Sequence, residues 1–142
     1  YKGQLIWIPD NDTDTDVRKT EYTILGTHNT QDYIIEQGTK TGGWTYRKWK
    51  SGIVEAWVTL TKSLTVNQPE GTLYYDSCNF DIPSGLFTAA PTVNVSVLRS
   101  GGYGAYYTMG SISTTQCKGW VFSDLSSATA ADHSLHIQAI GK

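Results

Sequence analysis

Short runs of β-branched and aromatic residues recur along this chain, and turn-forming residues separate them. The run PTVNVSVL shows the pattern most clearly, because Val93, Val95 and Val97 alternate with Asn94 and Ser96. A period of two places successive side chains on opposite faces of a strand, and several short strands at this spacing are typical of a sandwich or barrel. The sequence shows no convincing amphipathic helix. It therefore predicts an all-β fold, an antiparallel β-sandwich of jelly-roll-like form.

The length of the chain favours one domain with a short appended segment. Its 142 residues are enough for a substantial core. Residues 1–32 are polar and rich in threonine and aspartate, with too few apolar positions for a core of their own. We therefore predict an extended, shaft-like segment over residues 1–32 and a β-sandwich domain over residues 33–142.

Charge and hydropathy argue against two classes of partner. The net charge of −2 gives no electrostatic reason to bind nucleic acid or an anionic membrane. No apolar run approaches the ~18 residues expected of a membrane-spanning helix. We expect neither nucleic-acid binding nor membrane insertion.

The densest aromatic stretch is WTYRKWKSGIVEAWV, from Trp44 to Val58. Ser51-Gly52 predicts a two-residue hairpin turn, which would pair Lys48 with Glu55. That register puts one set of residues on a common face: Trp44, Tyr46, Lys48, Glu55 and Trp57. The opposite face would be core: Trp49, Val54, Ala56 and Val58. We expect the aromatic face, with Trp7 from the N-terminal segment, to contact another copy of the chain or a ligand.

Catalytic and metal-binding patterns are weak in this sequence. Asp132, His133 and Ser134 are adjacent, so a strand would point His133 away from its neighbours and no triad could form. Glu55 is explained by a cross-strand cation, and Cys78 and Cys117 read as buried free thiols. We predict no enzyme activity and no cofactor.

One acidic cluster has the spacing of a calcium-binding loop. Its members are Asp10, Asp12, Asp14, Asp16 and Glu21. Thr15 stands where such a loop needs glycine, and the flanking residues are not helical in pattern. A solvated acidic turn is the preferred interpretation, with a metal site as the weaker alternative.

Several short motifs recur here in an order known from one family. They are Tyr46-Arg47-Lys48-Trp49, Ser51-Gly52, Glu55 and Trp57, then Phe80, Ile82-Pro83, Gly85-Leu86-Phe87, Pro91-Thr92-Val93 and Gly119-Trp120-Val121-Phe122. In this order they resemble the C-terminal tip domain of tail-fibre and minor structural proteins from phages and prophages of Gram-positive bacteria. The resemblance covers residues 33–142. Val58 departs from it, because members often have glycine after Glu-x-Trp.

The resemblance implies an all-β tip, usually a homotrimer, that contacts the host. It implies adhesion to a bacterial cell-surface glycan without catalysis, a place in the virion tail, and synthesis in the bacterial cytoplasm. The segment GGYGAYYTMG predicts a tyrosine-lined recognition loop, since tyrosine gives a large contact area at low entropic cost. The candidate ligand-binding residues are Tyr75, Arg99, Tyr103, Tyr106 and Tyr107. Packing of these tyrosines on a neighbouring copy is the alternative.

Three other functions stay open from the sequence alone. The chain could be a structural fibre or baseplate domain with no ligand of its own. It could be a monomeric carbohydrate-binding module. It could also be a polysaccharide depolymerase, which would need facing carboxylates in a cleft.

Overall fold

The computed structural model of the chain describes residues 32–101 and 104–142. Several predictions therefore lie outside the described residues: Trp7, Tyr103, the acidic cluster and the predicted shaft-like segment up to residue 31. Within the described part, the elements are ten β-strands and one short 3₁₀ turn, Thr41–Gly43. The strands are β1 (Ile34–Lys40), β2 (Trp44–Trp49), β3 (Val54–Leu64), β4 (Gln68–Glu70), β5 (Leu73–Ser77), β6 (Phe80–Asp81), β7 (Thr92–Arg99), β8 (Ala105–Ile112), β9 (Gln116–Ser123) and β10 (Ala131–Gly141). None of these residues forms a helix long and apolar enough to cross a membrane.

The strands form two antiparallel sheets of five strands each. In the first sheet the order is β1-β2-β3-β10-β7. In the second sheet β9 is central: it pairs with β8 along one edge and with β5 and β6, and β4 pairs with β5. The chain passes between the sheets four times, after β3, β6, β7 and β9. The predicted all-β, antiparallel sandwich is confirmed.

The core lies between the inner faces of the two sheets. Alternation along β10 shows how the sequence builds it, because Leu135, Ile137 and Ala139 are buried while His136 and Gln138 are exposed. One continuous cluster joins apolar residues of both sheets: Trp44, Tyr46, Val54, Ala56, Val58, Leu64, Val66, Cys78, Phe80, Ile82, Leu86, Phe87, Val93, Cys117, Val121, Leu135, Ile137 and Ala139. Burial of this apolar surface is the main source of stability in a fold of this size.

The β2–β3 hairpin has a longer turn than the sequence predicted. The Trp49 amide donates to the Ile53 carbonyl at 2.8 Å, and the Gly52 amide donates to the Trp49 carbonyl at 2.9 Å. The loop thus has three residues, and Gly52 takes a left-handed conformation (φ +86°) that glycine adopts without strain. The register moves by one residue, so that Arg47 pairs with Glu55.

This shift exchanges the two faces of β2 and leaves those of β3 as predicted, because side chains alternate along a strand. Trp44 and Tyr46 are buried in the core, so their predicted place on an exposed aromatic face is wrong. Trp49, predicted as core, is only half-buried and lies on the outer face. Val54, Ala56 and Val58 are core as predicted, and Trp57 is on the outer face. The predicted Lys48–Glu55 pair is replaced by two others, Arg47–Glu55 and Lys48–Glu36.

Candidate functional site

The outer face of the first sheet carries a polar array across β3, β10 and β7. Two cross-strand rows define it, Trp57–Gln138–Asn94 and Thr59–His136–Ser96. Each of these side chains alternates with an apolar residue that points into the core, so folding of the sandwich exposes all six on one surface.

A groove of about 470 Å³ follows this array. The short side chains of Thr59, Asn94 and Ser96 leave room beside the large ring of Trp57. His136, Gln138 and three apolar residues also line the groove: Val58, Val95 and Ile137. The volume falls within the range of about 300–1,000 Å³ that is typical of small-molecule sites. We call this surface, made by Trp57, Thr59, Asn94, Ser96, His136 and Gln138, the polar groove.

Trp57 is held at the end of the polar groove by a cluster of neighbours. The Arg47 guanidinium lies over the Trp57 ring, 5.4 Å from its centroid. Glu55 accepts from Arg47 Nε, and its Oε2 also accepts from Trp49 Nε1 at 3.1 Å. These hydrogen bonds, from Trp49 first and then from Arg47, hold the pKa of Glu55 below its ordinary value of 4.5. The cluster leaves Trp57 39% exposed, so part of its ring is available for contact.

A second surface, on the outer face of the second sheet, is aromatic rather than polar. Tyr75 and Tyr106 both pair with Phe122, one from each side of β9. The rings of Tyr106 and Phe122 stack at 5.5 Å with planes 11° apart, and Tyr75 lies 5.5 Å from Phe122. Trp120, 40% exposed, continues the row two residues along β9. We call Tyr75, Tyr106, Trp120 and Phe122 the aromatic strip.

Trp120 owes its position to a glycine on the neighbouring strand. A β-carbon at Gly110 would come within 2.6 Å of the Trp120 ring. The indole therefore lies across Gly110, next to an irregularity in the β8–β9 pairing between Met109 and Ser111. This contact places the Trp120 ring over Gly110, beside the aromatic strip's other rings.

The four described residues among those predicted to bind a ligand, Tyr75, Arg99, Tyr106 and Tyr107, do not form one site. Tyr75 and Tyr106 meet in the aromatic strip, but on β5 and β8 rather than on a loop. Tyr107 points inward, where its ring lies 5.9 Å from Phe80.

Arg99 is also a poor candidate for ligand contact. It is buried, and its Nη1 donates to Ser123 Oγ and to the Leu125 carbonyl, each at 3.1 Å. The guanidinium therefore ties β7 to β9 and to the segment after it, which is a structural task.

The described titratable groups form no recognisable catalytic centre. His133 is fully buried, while Asp132 is exposed and Ser134 lies on the outer face of β10, so the sequence argument against a triad is confirmed. Within the described residues, no group of three or more His, Cys, Asp or Glu side chains could hold a metal ion. Neither finding bears on residues 1–31.

Cys78 and Cys117 are free and buried, as predicted. Burial raises the pKa of Cys78 to about 11 and also raises the pKa of Cys117. Burial, together with a 3.4 Å hydrogen bond to the Cys117 sulfur, raises the pKa of Tyr107 as well. All three groups are therefore neutral parts of the core at physiological pH.

Sequence reasoning missed most of the polar groove and half of the aromatic strip. The alternation was visible, since Asn94 and Ser96 interleave with valines, and Lys118, Trp120 and Phe122 interleave with buried residues. The order of the strands was not visible, and it is the adjacency of β3, β10 and β7 that assembles the groove.

Solved structures with a similar fold come from pyocin tail fibres. An N-truncated R1-type pyocin tail fibre matches with a TM-score of 0.54 at 15% identity, over 94% of this chain and 100% of that one. A longer C-terminal part of the R1 pyocin fibre from P. aeruginosa matches with a TM-score of 0.55 at 14% identity. The fold is similar to that of pyocin tail fibres. An N-truncated R2-type pyocin tail fibre matches with a TM-score of 0.50 at 12% identity, over 100% of this chain and 57% of that one.

These tail-fibre matches concern the fold, because all are below 25% identity. The chain spans 41% of the longer R1 fibre that it matches. No protein-family model and no curated protein matches the chain. The neighbours support the tail-fibre part of the sequence resemblance and do not support a Gram-positive host.

Proposed function

We propose that this chain is the receptor-binding tip of a phage-type tail fibre, and that it adheres to a bacterial surface polysaccharide through the polar groove. The observation that carries the proposal is the pairing of an accessible Trp57 ring with a convergent set of amides and hydroxyls. Aromatic rings stack on the apolar faces of sugars, and neighbouring polar groups fix orientation. The similarity in fold to pyocin tail fibres supports a location of such a surface at the virion tail.

We propose binding without turnover. A glycoside hydrolase needs two carboxyl groups roughly 5–10 Å apart across the bond that it cleaves. The described lining of the polar groove consists of a tryptophan, two amides, two hydroxyls, a histidine and three apolar residues, with no carboxylate among them. Glu55, which borders the groove, is already occupied by Arg47 and Trp49. These features favour adhesion over depolymerisation.

The same proposal includes a homotrimer, in which the aromatic strip packs against another copy. Tyr106 and Trp120 of the strip are 48% and 40% exposed. The ring of Phe122 lies beside the rings of Tyr75 and Tyr106. Contiguous exposed aromatic surface of this kind is typical of contacts between chains. Three copies would present three polar grooves, so that avidity compensates for weak binding at each one.

Binding is tested with a microarray of bacterial surface glycans probed with the full chain. We expect the wild type to bind and Trp57→Ala to lose most of the signal. Leu98→Ala is the matched control, because Leu98 is exposed on the same sheet face but does not line the groove. Release of reducing sugar from a bound glycan would favour the depolymerase. Binding to no glycan would favour a purely structural domain.

The oligomer is tested by light scattering during size-exclusion chromatography. A trimer predicts about three times the chain mass of 15.7 kDa. Tyr106→Arg should lower the mass if the aromatic strip is the contact, whereas Leu98→Arg on the other sheet should not. A wild-type mass near 15.7 kDa would instead favour a monomeric binding module.

A further inference from the structure

We infer that the polar groove selects uncharged sugars and discriminates against anionic ones. This inference rests on the proposed function, because it names the class of glycan that the same groove would take. It follows from the kinds of hydrogen-bonding group in the groove and from the arrangement of charge around it.

The polar side chains of the groove match sugar hydroxyls, which both donate and accept hydrogen bonds. Asn94 and Gln138 each offer an N–H₂ donor and a carbonyl acceptor, and Ser96 and Thr59 each offer a hydroxyl that does both. A carboxylate or phosphate group accepts only, so where it meets Asn94 or Gln138 it pairs with the N–H₂ and not with the amide carbonyl. Unpaired polar groups at a desolvated contact cost about 1–3 kcal/mol each.

The polar groove has no charged side chain in its described lining, and the charged pair beside it is an ion pair. The described residues that line it include no Asp, Glu, Lys or Arg. Beside it, Arg47 and Glu55 form an ion pair that also borders a smaller hollow with Trp57, Gln138 and Ile140. Arg47 is a cation beside the groove that could attract an anion, and the Glu55 carboxylate offsets its charge.

His136 contributes an imidazole to the described lining, and it is held within the array. Its Nδ1 lies 3.2 Å from Thr59 Oγ1, across the β3–β10 pairing. Single imidazoles provide weaker anion recognition than the bidentate guanidinium forks common at phosphate and carboxylate sites. The array therefore contains recognition groups for hydroxyls and lacks a dedicated group for anions.

The test uses the 142-residue chain, immobilised, with short soluble fragments of each glycan, because fragments too short to bridge two sites exclude avidity. Neutral probes are dextran, mannan and galactan, and anionic probes are polygalacturonate, heparin and a teichoic acid. We expect binding among the neutral probes only, and an affinity that changes less than about twofold between roughly 50 and 500 mM NaCl, because screening acts on charged contacts. Gln138→Leu keeps the side-chain size and removes the amide, and should weaken binding about tenfold. Leu98→Ala, outside the lining, should leave binding unchanged.

The outcomes separate this inference from the proposed function. Binding of anionic probes that Trp57→Ala abolishes would overturn the neutral-sugar inference and leave the groove as the receptor site. A strong decrease of affinity with salt would overturn it in the same way. Binding of neutral probes that is insensitive to both Trp57→Ala and Gln138→Leu would overturn the groove as the site. Binding to neither class, here and on the bacterial glycan microarray, would overturn both proposals.

Discussion

Arg47 and Glu55 face each other across β2 and β3, and Arg47 Nε lies 2.5 Å from Glu55 Oε2. This pair reports the register of the hairpin, since a two-residue turn would have placed Lys48 opposite Glu55 instead. It also supports Trp57, which stacks under the same guanidinium. Hairpin register and groove geometry are thus linked through one ion pair.

The register can be tested with two double-mutant cycles on unfolding free energy. We expect Arg47→Met and Glu55→Gln to show a coupling of up to about 1 kcal/mol, as for other partly exposed ion pairs. Lys48→Met with Glu55→Gln should show coupling near zero, since Lys48 pairs with Glu36. The reverse ranking would contradict the three-residue loop. Both cycles need one fixed protein concentration, because association shifts apparent stability.

Acid should remove the contribution of Glu55 to stability. Its pKa is lower in the folded chain than the ordinary 4.5, because Trp49 and Arg47 donate hydrogen bonds to the carboxylate. The stabilisation is therefore fully present above pH ~5 and is lost as pH falls through the lower folded value. We expect Glu55→Gln to be less stable than wild type at pH 7 and the difference to shrink as pH falls below 4.5. Urea denaturation monitored by tryptophan fluorescence measures this difference in unfolding free energy. Glu70→Gln, on the exposed strand β4, is the control.

Two tryptophans of one hairpin should differ greatly in their contribution to stability. Trp44 is buried to 1% exposure and its Nε1 donates to the Asp81 carbonyl at 3.2 Å. We expect Trp44→Ala to cost about 3–5 kcal/mol through the cavity that it leaves. Trp57→Ala, at a 39% exposed position, should cost far less.

If Trp44→Ala fails to fold, Trp44→Phe provides a milder version of the same test. It keeps an aromatic ring and removes the hydrogen bond, a net loss of about 0.5–1.5 kcal/mol in addition to any packing defect. Equal costs for Trp44→Phe and Trp57→Phe in chemical denaturation would contradict the assignment of Trp44 to the core.

Gly119 lies where β9 passes closest to Tyr107. A β-carbon there would overlap the Thr108 carbonyl oxygen and come within 2.5 Å of the Tyr107 hydroxyl. Gly119→Ala should therefore destabilise the fold by about 1–3 kcal/mol or more, as overpacking does. Gly104→Ala is the control, because nothing lies within 4 Å of its β-carbon position. Thermal melting of the two variants side by side distinguishes steric overlap from a general effect of replacing glycine.

The two thiols should resist modification in the folded chain. Thiolates are the reactive form, and burial raises the pKa of Cys78 to about 11 and raises that of Cys117. We expect Ellman's reagent at pH 8 to react slowly with the native chain and to titrate both cysteines in denaturant. Rapid native labelling would show that the sandwich opens at β6 and β9, where Phe80 pairs with Cys117.

Much of the local structure could be read from the residues. The valines of β7, the alternation in β10 and the opposite faces of Tyr74 and Tyr75 all follow from a period of two. The hairpin prediction failed at one point: Lys50 joins Ser51 and Gly52 in the loop, and this additional residue reverses the faces of Trp44 and Trp49. A two-residue and a three-residue loop both fit Ser51-Gly52, and core packing selects between them.

The sequence by itself determined the fold class, the positions of most strands and the burial of the two cysteines, because these depend on patterns within a few neighbouring residues. The tertiary structure decided which strands lie side by side. Asn94, Trp57 and His136 come from distant parts of the chain, and only the pairing of β7, β10 and β3 brings them into one groove. Likewise Phe122 gains its position between Tyr75 and Tyr106 from the pairing of β9 with both β5 and β8. The order of the strands depends on how pairing between distant segments buries the whole core, so local sequence patterns do not specify that order.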